Sequence, residues 1–151
     1  MAYTSYVCGE VIPADDAGIE GLLEALDKQG FHIIREGGWQ LLVDAAGYLT
    51  GLEIVDDRLV GEQDWCRYYG FDTLIDALVK VSKAGLIKDA WLYREGEESG
   101  DVEEYEFRDG QWYTRVQIEC KVPLEIADRG IIGAIQAAAR DVIANWDDWP
   151  A

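Results

Sequence analysis

Histidine and cysteine are scarce in this chain. Among its 151 residues, histidine occurs once, as His32, and cysteine occurs three times, as Cys8, Cys66 and Cys120. The cysteines are odd in number and widely spaced, which indicates neither a disulfide framework nor a CxxC metal or redox motif. Cysteine–histidine catalysis would have to use His32, whose apolar neighbours are typical of a strand. We therefore expect no zinc site and three small, buried cysteines.

Sequence motifs of common enzymes are also missing. No serine lies in a GxSxG turn, and the chain has no GxGxxG, Walker loop or HExxH. The sequence therefore predicts no enzyme and no cofactor. A carboxylate-dependent or cation-dependent enzyme stays open as an alternative, because paired carboxylates can perform acid–base catalysis. The loop 95–101 alternates acids with glycine but lacks the spacing of an EF-hand.

Long apolar runs are absent as well. No stretch approaches the ~20 apolar residues of a membrane-spanning helix, and the residues after Met1 lack the pattern of a signal peptide. We therefore expect a cytoplasmic protein. The 49% hydrophobic content, with six Trp and eight Tyr, is enough to fill the core of a globular protein. The length predicts a single domain over residues 1–151.

Bases are few relative to acids. Thirteen Lys and Arg stand against thirty Asp and Glu, which gives a net charge of −17. This charge repels nucleic acid and anionic membranes and attracts basic proteins, so we expect a basic protein partner and no direct binding to nucleic acid or membrane. In the alternative reading, the protein is an acidic housekeeping oligomer whose charge serves solubility alone. The sequence does not fix the oligomeric state.

Three segments have the apolar spacing of helices. The first is capped by Asp15–Asp16 and closed by Gly30, and the second runs from a cap at Asp72 to Gly85. A third is predicted over residues 131–146. The first two resemble each other in order, since each leads through a glycine into a strand and then an Arg-Glu-Gly turn. This weak repeat predicts two helix–hairpin halves that share one antiparallel sheet.

The remaining segments have the pattern of strands. A strand over residues 3–12 stops at Pro13, and Gly37–Gly38 and Asp109–Gly110 predict tight hairpin turns. A long strand is predicted over 111–122, and the stretch 45–60 has strand-like runs broken at Gly47, Gly51 and Asp56–Asp57. The whole pattern predicts an α+β fold: a mostly antiparallel sheet with two to three helices packed on it, for which a ferredoxin-like arrangement is a candidate.

Acidic residues are concentrated in two segments. Residues 1–27 hold six acids and no base, and residues 95–109 hold eight acids and one base. Carboxylates on one face of a helix or strand repeat at about 6 Å, close to twice the ~3.4 Å phosphate step along a DNA strand. Such acids can occupy a basic DNA-binding groove. The predicted partner-binding residues are the acids of these segments and one tryptophan near the chain end: Asp16, Glu20, Glu24, Glu97, Glu98, Asp101, Glu103, Glu104, Glu106 and Trp149.

The segment GEESGDVEEYEFRDG, residues 96–110, resembles small phage- and plasmid-borne domains of ferredoxin-like α+β type, whose functions are mostly unknown. The resemblance covers residues 75–113 and implies a mobile-element origin. In size and charge the chain is similar to phage inhibitors of host defence, including anti-CRISPR proteins and DNA mimics. The resemblance therefore implies an inhibitor that blocks a basic, nucleic-acid-binding host protein such as a CRISPR effector.

Overall fold

A computed structural model describes residues 4–61, 65–66, 70–115, 124–127, 130, 133, 135, 139 and 140. The chain divides into two compact units, Met1–Arg115 and Val116–Ala151. The elements of the first unit are, in chain order, β1 (Ser5–Pro13), α1 (Gly18–Lys28), β2 (His32–Glu36), β3 (Trp39–Val43), β4 (Leu49–Val55), β5 (Arg58–Gly61), β6 (Trp65–Cys66), α2 (Phe71–Lys83), β7 (Ile87–Gly96), β8 (Val102–Arg108) and β9 (Gln111–Thr114).

The strands form one nine-stranded sheet in the order β2-β3-β4-β5-β1-β7-β8-β9, with β6 also paired to β1. All described pairings are antiparallel. The predicted α+β class with a ferredoxin-like arrangement is wrong, because the chain is far richer in sheet and its two longer helices accompany nine strands. A ferredoxin-like sheet also needs parallel pairs from its βαβ crossovers, and no described strands pair in parallel.

The strand-like runs of the stretch 45–60 form β4 and β5. The break predicted at Asp56–Asp57 is the two-residue hairpin turn between them, in which both residues have positive φ, 50° and 61°. Gly51 lies within β4 at φ 92°, where its missing side chain lets the strand continue. The hairpins at Gly37–Gly38 and Asp109–Gly110 are confirmed.

Both helices form where apolar side chains recur at helical spacing. Leu22 and Leu26 of α1 are fully buried, as are Leu74 and Leu78 of α2. The predicted caps are wrong in detail, since α1 begins after Ala17 and α2 after Gly70, neither with a side-chain cap. Asp72, which was predicted to cap α2, lies instead in the first turn. Its negative charge there interacts favourably with the positive end of the helix dipole.

One face of the sheet carries the helices. Val7 and Val11 of β1 and Leu92 of β7 belong to the same buried cluster as the α1 and α2 leucines, so both helices lie on this side, the helix face. Side chains alternate along strands, which sends the intervening residues to the opposite face. On β1, β7, β8 and β9 we call that opposite surface the aromatic face, because it bears Tyr6, Trp91, Tyr93 and Tyr113.

In the second unit, α3 (Leu124–Ala127) is a short helix, and the described residues 133, 135, 139 and 140 are helical. These four positions fall within the third helix predicted over 131–146, most of which lies outside the described residues. The same holds for residues 116–122 of the predicted long strand, of which the structure shows β9.

Candidate partner-binding surfaces

The outer side of α1 carries three of the predicted acids. Asp16 precedes the helix, and Glu20 and Glu24 lie one turn apart on it; all three are exposed. None of the three has an ion-pair partner among the described residues. They form a strip of uncompensated negative charge, here called the α1 strip.

Two other predicted acids hold an arginine in place. The Arg94 guanidinium of β7 donates to Glu103 of β8 at 2.6 Å and to Asp101 at 2.5 Å. The Arg94 side chain is only 12% exposed. Burial opposes its charge, but the hydrogen bonds that it donates to both carboxylates outweigh burial and raise the pKa of Arg94 above its ordinary value. These carboxylates therefore serve the β7–β8 hairpin rather than presenting free charge to a partner.

Glu104 and Glu106 lie on the aromatic face, on the other side of the sheet from α1. Each has an arginine neighbour: Arg115 is 2.9 Å from Glu104, and Arg108 is 3.5 Å from Glu106. The predicted acids therefore do not form one continuous surface. Those of α1 lie on one side of the sheet, and Glu104 and Glu106 of β8 lie on the other.

The loop between β7 and β8 places Glu97 and Glu98 in solvent. Glu97 accepts hydrogen bonds from the backbone N–H of Thr4, at 2.9 Å, and from its hydroxyl. These bonds favour the charged carboxylate and lower the pKa of Glu97. The last predicted residue, Trp149, lies outside the described residues.

The aromatic face contains a cluster that the sequence prediction missed. The hydroxyls of Tyr6 and Tyr93 both donate to the Glu95 carboxylate, at 3.1 Å for Tyr93. The hydrogen bond to Glu95 raises the pKa of Tyr6 to about 12, and burial together with the same carboxylate raises the pKa of Tyr93. The sequence does indicate part of this cluster, since Trp91, Tyr93 and Glu95 occupy alternate positions of one strand and therefore share a face.

The structure describes the thiol of Cys8 and the imidazole of His32. Cys8 is a free thiol and only half-buried on the aromatic face, so the prediction of a buried cysteine is wrong for this residue; burial still raises the pKa of its thiol. The side chain of Cys66 and all of Cys120 lie outside the described residues. The Nδ1 atom of His32 pairs with Asp27 at the surface.

The described part of the chain has neither a cluster of metal ligands nor a membrane-spanning helix. No three of its His, Cys, Asp and Glu side chains converge as the ligands of a metal ion would. None of its helices has both the length and the apolar character needed to cross a bilayer.

Comparison with known proteins gives no relative from which a function could be transferred. No family model, curated protein or solved structure matches the chain.

Proposed function

We propose that this protein binds a basic, nucleic-acid-binding protein through the α1 strip and so blocks its nucleic-acid site. The observation that carries the proposal is that Asp16, Glu20 and Glu24 are exposed and unpaired in the described structure. Fixed negative charge without an internal counterion attracts a cationic surface and speeds association with it.

The α1 strip is favoured over the acids of the β7–β8 hairpin. Asp101 and Glu103 are engaged by Arg94, and Glu104 by Arg115. These arginines offset part of the negative charge of the carboxylates, which lowers their attraction for a cationic partner. The α1 acids form no ion pair in the described structure, so their charge is not offset in this way. The cytoplasmic location, the mobile-element origin and a CRISPR effector as target belong to this proposal; the last two rest on the sequence resemblance.

Charge reversal tests the proposal. The double variant Glu20→Lys/Glu24→Lys is compared with the wild type as bait in a nuclease-treated bacterial lysate, with captured proteins identified by mass spectrometry. We expect the wild type to retain a basic, nucleic-acid-binding protein that ~0.5 M salt releases, because screening shortens the reach of exposed charges to a few Å. Duplex DNA should displace the bait from that protein.

The matched control is Asp72→Lys/Asp76→Lys. It changes the charge equally, at the same four-residue spacing, on exposed positions of α2. The control should keep the partner that the α1 variant loses. Equal loss in both variants would show that net charge alone acts, and recovery of no basic partner by the wild type would refute the proposal.

A further inference from the structure

Four side chains form a row across the aromatic face. Glu10 of β1 is the register partner of Trp91 of β7, Trp91 is the partner of Glu106 of β8, and Glu106 is the partner of Tyr113 of β9. Neighbouring strands lie about 4.8 Å apart, so the Trp91 ring has a carboxylate-bearing residue directly on each side.

An arginine already occupies one end of this row. The Arg108 guanidinium lies 4.7 Å from the centre of the Tyr113 ring, and its Nε atom is 3.5 Å from the Glu106 carboxylate. A ring face and an adjacent carboxylate thus hold one guanidinium together. This contact shows that the face accommodates a guanidinium by combining a cation–π contact with charge.

Both carboxylates that flank Trp91 have one arginine partner, since Arg58 is 2.8 Å from Glu10 and Arg108 is 3.5 Å from Glu106. A carboxylate has about four acceptor positions, so each can accept from a second guanidinium. Trp91 itself presents its ring without an occupant. Its side chain is 40% exposed, and no cation lies over its ring among the described residues. Tyr93 stacks beside it, with ring centres 6.3 Å apart and planes 16° from parallel, which restrains the indole. A restrained ring loses little freedom when a ligand binds.

The charge of the aromatic face favours a cation. By strand alternation its carboxylates are Glu10, Asp89, Glu95, Glu104 and Glu106, and its bases are Arg108 and Arg115; on the same side of the sheet, β4 and β5 add the buried Glu53 and Arg58. Six negative groups against three positive groups leave a net formal charge of −3. An incoming cation therefore meets attraction from both the ring and its surroundings.

We propose that the aromatic face binds an arginine side chain of a protein partner, with its guanidinium over Trp91 between Glu10 and Glu106. A planar guanidinium stacks on an indole and donates in its own plane to flanking carboxylates, whereas a lysine ammonium offers a single point of charge. This site lies on the opposite side of the sheet from the α1 strip and does not depend on the function proposed for it.

A peptide titration tests the site. The probe is a short capped peptide of alternating arginine and glycine; its affinity is measured by isothermal titration calorimetry, and the NMR signal of the Trp91 indole N–H locates the site in the wild type. We expect this signal to shift on titration, and Trp91→Leu to weaken binding about tenfold. The control Trp39→Leu removes an indole that is 54% exposed on β3 and should bind as the wild type does.

Two further peptides define the ligand. A citrulline peptide has the same shape without the charge and should not bind, and a lysine peptide should bind more weakly than the arginine peptide. Equal binding of the citrulline or lysine peptide would overturn the assignment to a guanidinium, and so would unchanged affinity in Trp91→Leu.

Two further variants show whether a loss of binding reflects misfolding and whether the peptide binds the aromatic face or the α1 strip. Glu106→Gln keeps the Trp91 ring and nearly the same side-chain shape at position 106. It should weaken binding of the arginine peptide several-fold, while the NMR spectrum shows an intact fold. Glu20→Lys/Glu24→Lys should leave the Trp91 shift unchanged. If the α1 variant abolishes that shift while Glu106→Gln does not affect affinity, the peptide binds elsewhere and the inference fails.

Discussion

Gly9 of β1 and Gly61 of β5 are register partners at the centre of the sheet, and neither has room for a side chain. A Cβ atom on Gly9 would lie 1.9 Å from the Trp91 carbonyl oxygen, and one on Gly61 would lie 2.7 Å from the Cα atom of Cys8. The obstructing atoms are backbone in both cases, so a side-chain shift cannot relieve the contacts.

Gly9→Ala should therefore lower the free energy of unfolding by about 3 kcal/mol or more, because the φ of +120° is strained for alanine and the β1–β7 backbone must separate. Urea denaturation measures the change. The control Gly100→Ala also has a positive φ, +86°, but meets no atom within 4 Å, and it should cost about 1–2 kcal/mol. Equal costs would show that contact with Trp91 is unimportant.

Arg94→Met should destabilise the protein by about 2 kcal/mol, because it leaves Asp101 and Glu103 close together without their cation. The figure is below that for a fully buried pair, since the two carboxylates are each 33% exposed. Thermal unfolding measures the loss. Arg108→Met removes an exposed pair and should cost less than about 1 kcal/mol; a larger loss there would contradict this ranking.

Tyr6 should make the stability depend on alkaline pH. Its pKa is about 12 in the fold, above the ~10 of an unfolded chain, so its contribution is fully present below pH ~10. The contribution is then lost as the pH rises towards about 12. Denaturant unfolding of wild type and Tyr6→Phe should therefore converge over this range. A stability difference that stays constant with pH would count against the hydrogen bond to Glu95.

Asp57→Gly should raise the free energy of unfolding by about 0.5–1 kcal/mol, because a two-residue turn with positive φ at both positions favours glycine at the second. Chemical denaturation gives the value. The same exchange in the first turn of α2, Asp72→Gly, should instead lower stability, since glycine weakens a helix. Destabilisation by both exchanges would contradict the turn assignment.

Local signals in the sequence located most elements of the first unit. The strand ending at Pro13, the apolar spacing of Leu74 and Leu78, and the Gly37–Gly38 turn are confirmed. The break predicted at Asp56–Asp57 is a hairpin turn, but the one predicted at Gly51 is wrong, because glycine continues β4 there at positive φ. The predicted fold class is wrong because it did not assign these runs to the sheet, which they extend to nine strands.

Features that depend on distant residues could not be predicted. The pairing of β1 with β7 brings Tyr6 to Glu95, and no local pattern indicates which strands become neighbours. Glu103 and Glu104 likewise fall in one acidic segment of the sequence, which predicts that they act together. Strand alternation separates them to opposite faces, where Glu103 holds Arg94 and Glu104 meets Arg115.

The central position of β1 has a consequence for how the chain folds. Its two edges pair with Arg58–Gly61, Trp65–Cys66 and Ile87–Gly96, all far downstream. During synthesis this strand leaves the ribosome before its neighbours, and its edge towards β7 stays unpaired until β7 has emerged. Closing such long loops slows the search for native contacts, and an unpaired strand edge favours aggregation in the meantime.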